Sequence, residues 1–199
     1  MDAHVEAELA LRALRPTDRL SLLIGRAARQ DVALEFTLQS LWTNLAGFGY
    51  ATFLVPADLS QLVEQCTIMF KAHPFEGRYR SAGLGALVAA KAVHQERNRV
   101  VHDMWIPSIG TDGTVVDPET FARQRLRRKD DFGKVEKKTL DDVAEVVEQL
   151  ERAQFRISSL VFSPPLFPAG GRGEPTEEDL RMIEGRFDLE DGGARTHTD

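Results

Sequence analysis

Sulfur chemistry has almost no foothold in this sequence: among 199 residues, Cys66 is the only cysteine. An internal disulfide is excluded, and so is a cysteine-based zinc site within one chain. A reducing, cytoplasmic setting is the expectation that fits. Tryptophan and tyrosine are scarce, at two residues each, and Trp42 and Trp105 read as core or interface anchors rather than base-stacking platforms. Long apolar runs are missing as well. The stretch from Phe36 to Ala57 is uncharged, but Gln39, Ser40, Asn44, Gly47, Gly49 and Pro56 interrupt it, so it falls short of a membrane span. Asp2, Glu6, Glu8, Arg12 and Arg15 punctuate the N-terminus, and no secretory signal peptide is expected. There is no Walker loop, no G-x-S-x-G and no Rossmann fingerprint, which leaves nucleotide hydrolysis, ester hydrolysis and hydride transfer without a basis.

The chain does have an ordinary globular composition, with 42% hydrophobic and 28% charged residues and a net charge of −6. One domain plus a tail is expected. Residues 1–16 read as a short lead-in stopped at Pro16. Thr17 or Asp18 then caps a long helix whose stripe is Leu20, Leu23, Ala27, Leu34, Leu38, Leu41 and Leu45, with Gly47 and Gly49 as terminators. A second helix, capped by Asp58 or Ser60, buries Leu59, Leu62, Val63, Cys66, Met69 and Phe70 and ends before Pro74. After a loop over 73–79, a third is expected from about Ser81 to Met104.

Helical period is lost between Trp105 and Lys138. Turn signals at Gly110–Gly113 and Asp130–Gly133 suggest a hairpin-like insertion, with a short strand at Thr114–Val116 and residues 121–128 pairing with 135–138. Thr139, followed by Asp141 and Asp142, opens a last helix that runs to about Phe162. Ser163-Pro164-Pro165 ends it. The remainder, residues 164–199, carries nine acidic side chains and is expected to be largely disordered, with a helical turn at Leu180–Phe187. The fold class expected is therefore all-α: an antiparallel four-helix bundle over 17–163 with a small β-hairpin insertion at about 105–138.

The chemically loaded segment is Arg97-Asn98-Arg99-Val100-Val101-His102. With an advance of about 100° per residue, Ala86, Ala90, Val93, Val100, Val101 and Met104 lie within about 60° of Arg97. Arg97 thus sits where a core residue belongs, and burying its charge alone would be costly. It needs a carboxylate or an anion. His102 lies about 140° away, beside Asn98 at i, i+4, where Asn98 can orient the imidazole. A two-fold dimer through this helix would gather two Arg and two His in one groove. The plainer alternative is an arginine paired with Glu35 on the first helix, with His102 as a helix-end residue. His94, Asn98 and His102 also recur every four residues, but no carboxylate or Cys completes a metal site on that face, so no metal and no cofactor are expected.

A histidine and a guanidinium so placed suit phosphodiester cleavage. The imidazole moves the proton of a ribose 2′-hydroxyl or of the leaving oxygen, and the guanidinium holds the phosphate and stabilises its growing charge. The segment resembles the R-x4-6-H signature of the HEPN superfamily, in which a polar residue, often Asn, follows the Arg. Glu96 to Trp105 is similar to uncharacterised bacterial members. The resemblance covers about ten residues in motif and residues 17–162 in architecture. It implies a homodimer whose composite site cleaves RNA without a metal, in a toxin, defence or stress-response role. The catalytic residues it implies are Arg97 and His102, with Asn98 at the polar position, and a protein antitoxin as a further partner. The toxin branch that carries a Tyr two residues after the His differs here, where Met104 stands. Other members have lost catalysis, so a non-catalytic helical binding module is the alternative.

A basic stretch follows the motif. Between Glu76 and Lys138 there are thirteen basic and nine acidic residues, against an acidic remainder. Arg99, Arg123, Arg125, Arg127, Arg128 and Lys129 are the residues expected to guide RNA. Charges on an exposed hairpin also keep its edge from pairing with other chains.

Overall fold

The computed structural model describes residues 13–47, 56, 58–75, 77–109, 114–125, 134–166 and 173–186. The described residues form five helices and one three-stranded antiparallel sheet: α1 (Pro16–Ala46), α2 (Leu59–Ala72), α3 (Gly77–His102), β1 (Met104–Ile109), β2 (Val115–Gln124), β3 (Val135–Thr139), α4 (Leu140–Phe162) and α5 (Glu177–Glu184). No helix among them is long and apolar enough to cross a membrane.

The helix boundaries follow local chemistry. Pro16 opens α1 rather than merely ending a lead-in, because a proline at the first helical position lacks only an N–H that would have no partner there. The cap position is Arg15, with no side-chain cap hydrogen bond, so neither Thr17 nor Asp18 is the cap; Asp18 instead accepts from the Arg15 side chain. Gly47, at φ 79°, closes α1. Asp58 caps α2 by accepting from the Gln61 N–H. The Thr139 hydroxyl and the Asp142 carboxylate satisfy each other's backbone N–H groups in a capping box at the start of α4. α3 begins four residues earlier than the sequence suggests and stops at His102, where the chain turns into β1.

Leu34, Leu38, Leu41, Leu62, Phe70, Leu87, Leu150, Ile157 and Leu160 are fully enclosed in a single core formed by α1 to α4. The helix directions depart from an antiparallel bundle. Cys66 Sγ reaches the Leu38 carbonyl and His73 Nε2 the Leu45 carbonyl, so α2 advances in the same sense as α1. Arg26 and Gln30 meet Glu151 while Asn44 meets the Val161 carbonyl, so α4 does too. α3 opposes α4: Tyr79 near its start bonds Ser163 at 2.7 Å, and Val100 near its end shares a cleft with Val143. Among the described helices, only α2 and α3, joined across residues 73–76, are antiparallel neighbours with a short connection.

The expected hairpin is present and larger. β2 pairs with β3 from Thr120↔Thr139 to Gln124↔Val135, and β1, read in the sequence only as lost periodicity, pairs with β2 from Met104↔Gln124 to Ile109↔Val115. Within the tail, the described residues 173–186 are more structured than expected. α5, with a Thr176–Asp179 capping box, buries Ile183 completely on the chain's own helices, and Arg78 and Arg156 fasten it.

Candidate functional site

Arg97 and Asn98 lie on the side of α3 that faces α1, and four polar side chains close a ring there. His94 Nδ1 donates to Asp31 Oδ1 at 2.8 Å, and the Asn98 amide donates to His94 Nε2 at 3.0 Å. Arg97 Nη1 donates to Asn98 Oδ1 at 3.0 Å, and Arg97 Nε stands 3.2 Å from Asp31 Oδ2. Asp31 is 5% exposed and the Arg97 side chain 16%, so the ring is nearly enclosed.

The partner of Arg97 is therefore Asp31, one turn before the expected Glu35. The sequence held the signal: Asp31 falls between Ala27 and Leu34 in the apolar stripe of α1, a carboxylate at a core position matching the arginine at a core position of α3. Asn98 does not orient His102. It reaches back to His94 at i−4, while His102 is exposed at the end of α3. Neither of two clefts along α3 has Arg97, Asn98 or His102 in its walls. One, of about 130 Å³, is bordered by Glu96, Trp105, Arg123 and Asp142. The other, of about 330 Å³, is floored by Ala89, Ala92, Val93 and Ala153 and rimmed by Arg152 and Arg156.

The pairing of Arg97 is incomplete. A guanidinium has five N–H donors, and only Nη1 makes a hydrogen bond among the described residues. Nε is close to Asp31 but misaligned for a hydrogen bond, and Nη2 has no hydrogen bond there.

Arg123 is the opposite case. Expected at an RNA-guiding surface, it is only 2% exposed. The register places it opposite Trp105 on one side and Glu136 on the other, on the inward face of the sheet. Nη1 donates to Glu96 at 2.7 Å, Nη2 to Glu136 at 2.6 Å, and the group lies 6.0 Å from the Trp105 ring centroid. Burial alone would lower its pKa, but the hydrogen bonds and charges of Glu96 and Glu136 raise it instead. Arg123 fastens the sheet to the end of α3 and is no phosphate contact as placed. Arg125 reaches Glu136 at 3.2 Å, and Arg99, more exposed, pairs with Glu96 at 2.8 Å. Arg127, Arg128 and Lys129 lie outside the described residues.

Asp103, next to His102, has its carboxyl pushed up by burial, partly offset by Arg123, whose Nε is 3.8 Å away. Among the described residues, no three His, Cys, Asp or Glu side chains gather as a metal site would require. Comparison of the chain with protein-family models, with curated proteins and with solved structures returns no match.

Proposed function

We propose that this chain is a metal-independent endoribonuclease of the HEPN type, acting as a homodimer. The observation that carries the reading is the under-used guanidinium of Arg97, fixed in place yet left with donors for an anion, on the same helix as the exposed His102. Arg97 holds the scissile phosphate and stabilises the charge that develops on it. His102 serves as general acid or base for the 2′-hydroxyl or the leaving oxygen. Asn98 orients the guanidinium. A second copy supplies the facing Arg97 and His102, since within one chain the two side chains leave opposite sides of α3. In this reading α1 to α4 are the helical body and the sheet is its insertion.

The test is cleavage of RNA by the purified protein in EDTA, beside Arg97→Ala and His102→Ala and with the oligomeric state measured by sedimentation. A dimer whose cleavage both substitutions reduce to a small residual rate, with the fold retained, is the expected result. A strictly monomeric protein, or cleavage indifferent to both substitutions, overturns the reading.

The enclosed Asp31–Arg97 contact favours a second reading, a non-catalytic helical binding module in which Arg97 is a structural cation. The same assay then finds no cleavage of any RNA, and Arg97→Ala acts on stability alone.

A further inference from the structure

Donor and acceptor logic propagates around the ring in one direction. An ionised Asp31 only accepts, so His94 Nδ1 must carry a hydrogen. In a neutral imidazole, Nε2 is then an acceptor, and the Asn98 side chain must turn its NH2 toward it. That leaves Asn98 Oδ1 pointing at Arg97, where it takes the Nη1 hydrogen. The orientation of an amide next to Arg97 is thus dictated from α1, by a carboxylate that does not touch it.

We infer that Asp31 and His94 are positioning residues of the Arg97 site: together they select the one Asn98 orientation that accepts from Arg97 and hold the guanidinium so that Nη2 stays available to a phosphate. The inference rests on the nuclease reading. It assigns no contact with RNA to either residue, and it makes the site an assembly of two helices rather than a motif on one. An asparagine at position 31 has nearly the same shape but cannot serve both neighbours. If its oxygen accepts from His94, its NH2 faces Arg97 Nε, donor against donor.

The experiment is a double-mutant cycle on kcat for RNA cleavage, with wild type, Asp31→Asn, Arg97→Ala and the double variant. A parallel cycle uses His94→Leu. Misplacing a catalytic group by about an ångström costs up to about 100-fold in rate. Asp31→Asn is expected to lower kcat by about 10- to 100-fold, and to have no further effect once Arg97 is alanine. A purely structural Asp31 would give the same kcat per folded molecule, or losses that multiply, and either overturns the inference while the nuclease reading stands. Nitrogen-15 spectra of the imidazoles supply a readout independent of activity. His94 is expected as the neutral Nδ1–H form in the wild type; the other tautomer overturns the ring logic. Should the ring be intact and the wild type cleave no RNA, the nuclease reading falls and the positioning role with it.

Discussion

Arg97 Nε stands 3.2 Å from Asp31 Oδ2, and the pair joins the third helix to the first across an almost closed interface. Removing either member leaves the other enclosed with a polar group short of a partner. Arg97→Ala should therefore lower stability by about 1–3 kcal/mol whatever the activity proves to be, as read by urea denaturation at unchanged m-value. Asp31 retains the His94 hydrogen bond in that variant, which keeps the loss below that of a fully stranded charge. A neutral effect would mean that the carboxylate is reached by water.

Arg123→Ala should be more damaging. It takes a cation that is 2% exposed away from Glu96 and Glu136, which keep only Arg99 on one side and Arg125 and Lys134 on the other, and breaking a buried pair costs about 3–5 kcal/mol. Chemical denaturation measures the loss. Any fall in RNA binding should then track the unfolded fraction and leave the salt dependence of binding unaltered, because no phosphate contact has been removed.

Acid should loosen the molecule at the same joints. Burial alone would push Glu96 up, but Arg123 and Arg99 outweigh it and hold the carboxyl below its ordinary 4.5. The hydrogen bond from Arg123 holds Glu136 down, and that from Arg78 holds Glu184 down. Each carboxylate has a folded pKa below its unfolded one, so its stabilisation is complete above about pH 4.5 and fades as the pH falls through the lowered values. Asp103, raised by burial, works weakly the other way. Thermal midpoints from pH 7 to pH 3 should fall chiefly below pH 4.5, and less steeply in Glu136→Gln.

Gly83 lies directly under the Phe70 ring, where a Cβ would collide with the ring carbons. Gly83→Ala should cost about 1–3 kcal/mol through overpacking, despite the better helix propensity of alanine. Phe70→Leu beside it should restore part of the loss in a double variant.

Cys66 is fully enclosed, and burial pushes its thiol up to about 12. In the folded protein at pH 8 it should ignore thiol reagents, and modification should appear only at the rate of global or local opening. Rapid labelling of the native chain would contradict this enclosure.

The helices were legible because apolar spacing survives without tertiary knowledge: the stripes of α1, α2 and α4 reappear almost unchanged as buried faces. The paired β2–β3 strands were legible from the turn signal at Asp130–Gly133, which falls between them in the sequence. Three features were not. β1 starts with Met104, a residue equally at home on the helix stripe, and only pairing with β2 makes it a strand. Arg123 looked like a surface cation because strand alternation does not say which face is inward. Phe121, two residues before it, points to the same buried side. α5 is too short to form alone and takes its order from Ile183, Arg78 and Arg156. At the site, Arg97 stands out in the sequence because a charge occupies an apolar position of α3. Asp31 is the same anomaly on α1 and is its partner, whereas Glu35 lies one turn further along that helix.

The docked α5 sets a lower limit on how far the protein can be trimmed. Ile183 is sealed against α3 and α4, and its carbonyl accepts from Arg156 at 2.7 Å. A version cut at Phe162 would bare that apolar seat, leave two arginines facing solvent, and invite self-association that an oligomer measurement would mistake for the native state. Expression of a reduced version should therefore retain the chain through Arg186.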